Sequence, residues 1–183
     1  MTRYRAAMPR WFRWSVHGVA LVLPWVVAIW LGATLPDRYP VHFDGSGTPD
    51  RWAGPGQGEW YLLAAIATFV ECVLVGAGAL ATFCTVRAPE YVNVPAKAAF
   101  VQLPPAARVW CLAPMVDLLT MIALLVSVLF ARIMHGTWQV AIGERTTLAP
   151  WDAIVLVGLI LAATLWQSIV TYRRVLAEVA RQA

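Results

Sequence analysis

Charge is scarce in this chain. Asp, Glu, Lys and Arg make up 13% of its 183 residues, against 60% hydrophobic ones, where a soluble domain carries roughly 25% charged residues. That balance excludes an ordinary soluble domain. Cysteine is also sparse: Cys72, Cys84 and Cys111 fall inside or at the edge of apolar runs, and no pair has the spacing of metal ligands. They read as small packing residues, with neither a disulfide framework nor a zinc site. A glycine-rich phosphate loop, a nucleophile elbow and a His-Glu-x-x-His sequence are all absent, which leaves nucleotide hydrolysis and proteolysis without support. The net charge of +4 does not imply nucleic acid as a partner, because the basic residues gather at the ends of apolar runs and not on one polar face.

What is abundant is apolar length. Four runs, at about 14–35, 60–84, 109–133 and 151–172, each match the roughly 20 helical residues, at 1.5 Å rise, that cross a bilayer. The sequence therefore predicts an all-α integral membrane protein of four transmembrane helices in a single domain. Three connections join them, at 36–59, 85–108 and 134–150, and a tail covers 173–183. Arg3, Arg5, Arg10, Arg13, Arg87, Lys97, Arg108, Arg173, Arg174 and Arg181 fall on one side, and Arg38, Arg51, Arg132 and Arg145 on the other. The excess puts both termini in the cytoplasm and the loops 36–59 and 134–150 outside. Trp30, Trp52, Trp60, Trp138 and Trp151 then gather near the outer boundary and Trp11, Trp14, Trp110 and Trp166 near the inner one, as an aromatic belt does.

Before the first run, MTRYRAAMPRWFRW mixes arginines with ring side chains, a composition suited to the inner membrane surface. The long run after it, with no small-x-small cleavage site, reads as an uncleaved anchor and not as a signal peptide. Pro24 and Pro114 each remove a backbone donor inside a span, which bends the helix unless a neighbour satisfies the freed carbonyl. Val75-Gly-Ala-Gly-Ala-Leu80 would let the second span approach a neighbour closely, making it the expected centre of the bundle.

The long polar stretch Leu35–Gly54 lies between the first two spans. Tyr39, Val41 and Phe43 alternate with Pro40, His42 and Asp44, the period of a short extended segment with one apolar face. Asp44-Gly-Ser-Gly47 is turn chemistry, and Thr48-Pro-Asp-Arg-Trp52 brings back a carboxylate, a guanidinium and an indole. A folded outer cap is expected. His42, Phe43, Asp44, Asp50, Arg51 and Trp52 are its candidate partner-binding residues.

Leu35-Pro36, Pro40-x-His42-Phe43 and Gly47-x-x-Asp50-Arg51-Trp52, directly after a first span, resemble the membrane family called domain of unknown function 1648. That domain also forms the N-terminal part of SdpI-type bacterial immunity proteins. In the loop 85–108, Tyr91-x-Asn93-x-Pro95-x-Lys97, followed by Phe100 and Leu103-Pro104, is similar to the Asn-x-Pro-x-Lys segment of such proteins, which makes Asn93, Pro95 and Lys97 a candidate cytoplasmic motif. The chain departs from its relatives at Ala53-Gly54-Pro55, where they often carry a lysine, and it lacks a clear second domain. The resemblance implies a multi-pass protein of the bacterial inner membrane, of immunity, sensing or accessory type, with no enzymatic activity and no cofactor.

Glu71 and Asp117 fall near the middle of the second and third spans, which run antiparallel, so both carboxylates are expected at similar depth. Carboxylates at mid-bilayer cost a few kcal/mol and are functional candidates by default; equally, each can be a protonated or hydrogen-bonded packing residue that fixes helix register. No basic partner is expected at matching depth, His17 lying closer to the inner surface. His42, Asp44 and Asp50 offer imidazole and carboxylate to a metal, but three ligands without a spacing rule are a weak set, and fastening the cap is the simpler use of His42. The run from Asp44 to Pro55 is no calcium hand, with Pro49 at the turn position and Pro55 where the bidentate Glu belongs. His135, Glu144, Arg145 and Asp152 complete a polar surface with the cap or form a solvated face.

The leading expectation is a non-catalytic protein whose outer cap binds a peptide, a lipid or a membrane subunit. Its competitors are an accessory subunit or homo-oligomer packed through the second span, a proton- or cation-coupled carrier using Glu71 and Asp117, and a metal-dependent membrane enzyme.

Overall fold

A computed structural model describes residues 8–54, 56, 58–149 and 151–182; the arginine-rich opening at Arg3, Tyr4 and Arg5, Pro55 and the Asp152 side chain lie outside the described residues. The elements run α1 (Arg10–Gly32), β1 (Tyr39–Phe43), β2 (Pro49–Ala53), α2 (Leu62–Arg87), α3 (Lys97–Gln102), α4 (Pro105–Ala141) and α5 (Trp151–Gln182), with short 3-10 turns at Glu59–Tyr61 and Pro89–Tyr91. Among the described residues, four helices are long and apolar enough to cross a membrane. Helix α4 continues past the expected end near 133 and α5 past 172. Residues such as Gln139 and Arg174 hold a helix as readily as Leu does, so helix and apolar run need not end together.

The chain divides into two compact units. One draws on residues 8–16, 73–122 and 159–182 and the other on 17–72 and 123–158. The first has a core of Val92, Val94, Phe100, Leu103, Ala107, Cys111, Leu112 and Val175. Within the small-residue stretch of α2, Gly78 alone is buried, packing against Leu119 and Val116, while Gly76, Ala77 and Ala79 are exposed. Within their most apolar stretches, 39% of the α4 residues and 22% of the α2 residues are buried. Small residues permit close approach without requiring it.

In the second unit, Ala28, Leu31, Tyr39, Ala53, Trp60, Ala64 and Met134 form the core. Tyr39 meets Trp60 edge-on at 6.0 Å, and the Trp60 indole N–H donates to the Ala28 carbonyl at 2.8 Å. Both rings thereby seat the start of β1 on the helices. Strands β1 and β2 are antiparallel, pairing Tyr39 with Ala53, Pro40 with Trp52, His42 with Arg51 and Phe43 with Pro49, with irregular register around His42. The alternation expected along β1 holds only in part: Tyr39 and Val41 join the core and His42 is exposed, but Pro40, expected on the polar face, is fully buried, and the register shifts between it and His42.

Both interior prolines have a compensating donor. Pro24 deprives the Ala20 carbonyl of its helical N–H, and the Ser127 hydroxyl on α4 donates to that carbonyl. Pro114 does the same to Trp110, whose carbonyl accepts from Arg174 on α5 at 3.0 Å, with the guanidinium carbon 4.7 Å from the Trp110 ring centre. Helices α1 and α4 run on through their prolines.

Most of the apolar side chains of the spans face outward. In the most apolar stretch of α5 only 6% of residues are buried, and Ile154, Val155, Leu161, Leu165 and Trp166 are all more than half exposed. An apolar surface of that extent is stable against lipid and not against water.

Candidate functional site

The hairpin is assembled from turn chemistry outward. Asp44 accepts from the Ser46 amide at 2.8 Å, the Ser46 hydroxyl at 2.6 Å and the Thr48 amide at 2.9 Å, all on Oδ1. The Ser46 hydroxyl and the Thr48 and Ser46 amides stabilise the ionised form and hold this carboxyl below its ordinary 3.8. Gly47 closes the turn at φ +82°, and its carbonyl accepts the Leu148 amide at 2.8 Å. That bond ties the connection after α4 to the hairpin tip.

Beyond the turn, His42 Nδ1 lies 2.6 Å from Asp50 Oδ1, both side chains about half exposed. Arg38 stacks over Trp52 at 5.2 Å. His42, Asp50, Arg51 and Trp52 are all exposed, whereas Phe43 is half-buried. Asp44 does not join His42 and Asp50 as a third ligand, because it is turned into its own tip. Among the described residues no three His, Cys, Asp or Glu side chains converge as metal ligands. On the second loop, Glu144 accepts from Gln139 at 3.3 Å, and His135 and Arg145 line a cavity together with Asp44.

The buried acids differ from expectation. Glu71 is 5% exposed, and its Oε1 lies 2.6 Å from His17 Nδ1. Asp117 has Arg13 Nε 3.4 Å from Oδ1 and accepts the Met8 amide on Oδ2 at 3.0 Å. Each carboxylate therefore has a basic partner of its own, where none was expected at matching depth. A residue count gives nominal depth along one helix but not the stagger between two. Arg13 and His17 are four residues apart and share a face of α1, a spacing that could have pointed to the pairing.

The loop motif is split by its own alternation. Val92 and Val94 are buried and Asn93 lies outside; Ala96 takes a left-handed conformation at φ 57° just before the exposed Lys97 opens α3, and Pro95 is half-buried beside it. The buried valines and Phe100 anchor this connection, leaving Asn93 and Lys97 accessible.

Four apolar, outward-facing helices define a multi-pass membrane protein. Residues 19–68 match the family model described as Domain of unknown function (DUF1648). The match runs from α1 through the hairpin into α2 and confirms the resemblance carried by His42, Phe43, Asp50, Arg51 and Trp52; Asn93, Pro95 and Lys97 lie beyond it. No curated protein and no solved structure matches the chain.

Proposed function

We propose that the chain is a non-catalytic protein of the bacterial inner membrane, with both termini cytoplasmic and the hairpin outside, that binds a peptide, lipid or membrane-protein partner through the hairpin. The observation that carries this is the hairpin's exposed face. His42, Asp50, Arg51 and Trp52 are exposed inside the family-matched segment, while Tyr39, Val41 and Ala53 fasten the hairpin into the core. The His42–Asp50 pair is solvent-exposed and contributes little to stability, so a recognition role explains its placement better than a structural one does. Glu71 and Asp117 each have a base beside them, which accounts for their burial without a transported ion. A second reading, an accessory subunit of a larger membrane protein complex or a homo-oligomer, is favoured by the exposed apolar side chains of α5 at Ile154, Val155, Leu161, Leu165 and Trp166.

The test has two parts. Gly45, exposed at the tip, is replaced by Cys and labelled with an impermeant maleimide in intact cells; Arg181→Cys serves as the opposite marker. Labelling at 45 without lysis and at 181 only after lysis supports the orientation, and the reverse pattern overturns it. A photo-crosslinker at Arg51 should then give a discrete adduct that His42→Ala and Asp50→Asn abolish while insertion is unchanged. An adduct unaffected by both substitutions would remove the hairpin from the binding surface.

A further inference from the structure

Helix α4 opens without the partners that a helix start needs. The first four backbone amides of a helix have no intrahelical acceptor. Two of them are missing here, because Pro104 and Pro105 carry no N–H. Ala106 and Ala107 supply the other two, and neither donates to an acceptor among the described residues, whereas the Arg108 amide reaches the Pro104 carbonyl at 3.1 Å. No acidic side chain stands in the first turn. A helix start with free amides and no carboxylate is a positive end without an anion.

Arg108 makes that end more positive still. It is 8% exposed, and its Nε is enclosed without a hydrogen bond. The guanidinium forms no ion pair and no hydrogen bond among the described residues. In a helix a side chain lies over the turn before its own Cα, which for Arg108 is the opening turn of α4. The half-buried arginines differ: Arg13 has Asp117 at 3.4 Å, and Arg174 has the Trp110 carbonyl at 3.0 Å. The unit that holds Arg108 contains three acids, Glu90, Asp117 and Glu178. Asp117 is held by Arg13 and the Met8 amide, Glu178 accepts from Arg181 at 3.1 Å, and Glu90 is exposed. None of the three is bonded to Arg108. A buried cation without a partner is strongly unfavourable, so a guanidinium at the positive end of a helix calls for an anion from outside the chain.

We propose that the start of α4 binds a phosphate group, free or on a lipid headgroup, with the Arg108 fork and the Ala106 and Ala107 amides on its oxygens. A guanidinium matches phosphate oxygens bidentately, and amides at a helix N-terminus receive the same anion. The apolar run begins at Val109, so these donors stand where headgroups and water meet. The inference needs no partner at the hairpin and holds for either orientation of the chain in the membrane.

The experiment titrates full-length protein in neutral maltoside by calorimetry, at an ionic strength held constant with chloride. The probes are inorganic phosphate, dihexanoyl phosphatidic acid and dihexanoyl glycerol, the last with the same chains and no phosphate. The first two should bind saturably and the third at least roughly ten-fold more weakly, since its charge-assisted hydrogen bonds are lost. Arg108→Gln should lower the affinity for both phosphate probes roughly ten-fold and Arg108→Lys by less, because lysine keeps the charge and loses the fork. Ala106 is exposed, so Ala106→Glu brings a carboxylate to the site without disturbing the core. It should abolish phosphate binding and raise the melting temperature, as an acid in the first turn of a helix does. Tighter binding of the lipid than of inorganic phosphate assigns the site to a headgroup, and equal or weaker binding assigns it to a free anion; both support the site. No saturable binding of either phosphate probe, equal affinity for dihexanoyl glycerol, or undiminished binding by both Arg108→Gln and Ala106→Glu would overturn it. His42→Ala touches none of these donors and should leave phosphate binding intact even where it abolishes the crosslinked adduct, so the two readings can fail separately.

Discussion

Removing the Ser127 hydroxyl should destabilise the protein chiefly while Pro24 is present. The Ala20 carbonyl lies four residues before Pro24, whose ring nitrogen has no hydrogen to give, and Ser127 is the donor that replaces it. Hydrogen bonds between helices in a membrane average about 0.6 kcal/mol and reach about 1.7 kcal/mol, while a buried acceptor with no donor at all costs about 1–3 kcal/mol. Ser127 is 1% exposed, so water is a poor substitute and Ser127→Ala should cost about 1.5 kcal/mol. In a Pro24→Ala background the helix supplies its own N–H, and the same substitution should cost about 0.5 kcal/mol or less. The difference, about 1 kcal/mol, is roughly five-fold in the unfolding equilibrium. The assay is reversible unfolding in mixed micelles as the SDS fraction rises, followed by far-ultraviolet circular dichroism for the parent, both single variants and the double. Equal cost of Ser127→Ala in both backgrounds would refute the compensation.

Gly47→Ala should destabilise the hairpin by about 1–3 kcal/mol from the φ of +82° alone, with a further penalty from the Leu148 carbonyl; limited proteolysis between β1 and β2 would report it. Because the Asp44 carboxyl titrates below its ordinary 3.8 when folded, its support for the turn is complete above that value and disappears as pH falls through the lower, folded one. Protection of the Ser46 and Thr48 amides, taken against the intrinsic exchange rate at each pH, should therefore be flat from neutral pH down to about 5 and fall only in stronger acid, and Asp44→Asn should remove that acid dependence. His17→Ala leaves the Glu71 carboxylate buried without its base and should cost about 3 kcal/mol or more, whereas His17→Leu with Glu71→Leu should recover most of it; the same micelle titration reads both.

The helices were legible because apolar length is a property of the chain alone. The extended segment at Tyr39–Phe43 and the turn at Asp44–Gly47 were legible for the same reason, period two and glycine-aspartate chemistry being local. Partners were not. That Ser127 meets Ala20, that Arg174 meets Trp110 and that His17 meets Glu71 depends on how far one helix is shifted along another, which no single segment encodes. The cavity was half visible. Arg145 and His135 were expected either to complete a polar surface with the hairpin or to form a solvated face, and the wall exists only because Leu148 returns to the Gly47 carbonyl. Arg132 and Gln139 belong to no motif, and their place in the cavity follows only from the stripe they form on α4 with Leu129, Ile133 and Gly136.

The distribution of polar groups separates those that serve the packing from those that do not. Inside the spans, several polar side chains serve the packing. Ser127 and Arg174 replace the donors that Pro24 and Pro114 lack, and His17 and Arg13 attend Glu71 and Asp117. Disturbing any of these changes stability before it changes anything else. His42, Asp50, Arg51, Trp52 and Arg145 are different, being exposed, charged or aromatic, and needed by no core. With Asn93 and Lys97 before α4, which are exposed as well, these are side chains that the packing leaves available. Substitutions there should therefore alter binding at constant stability, and those within the spans should alter stability first.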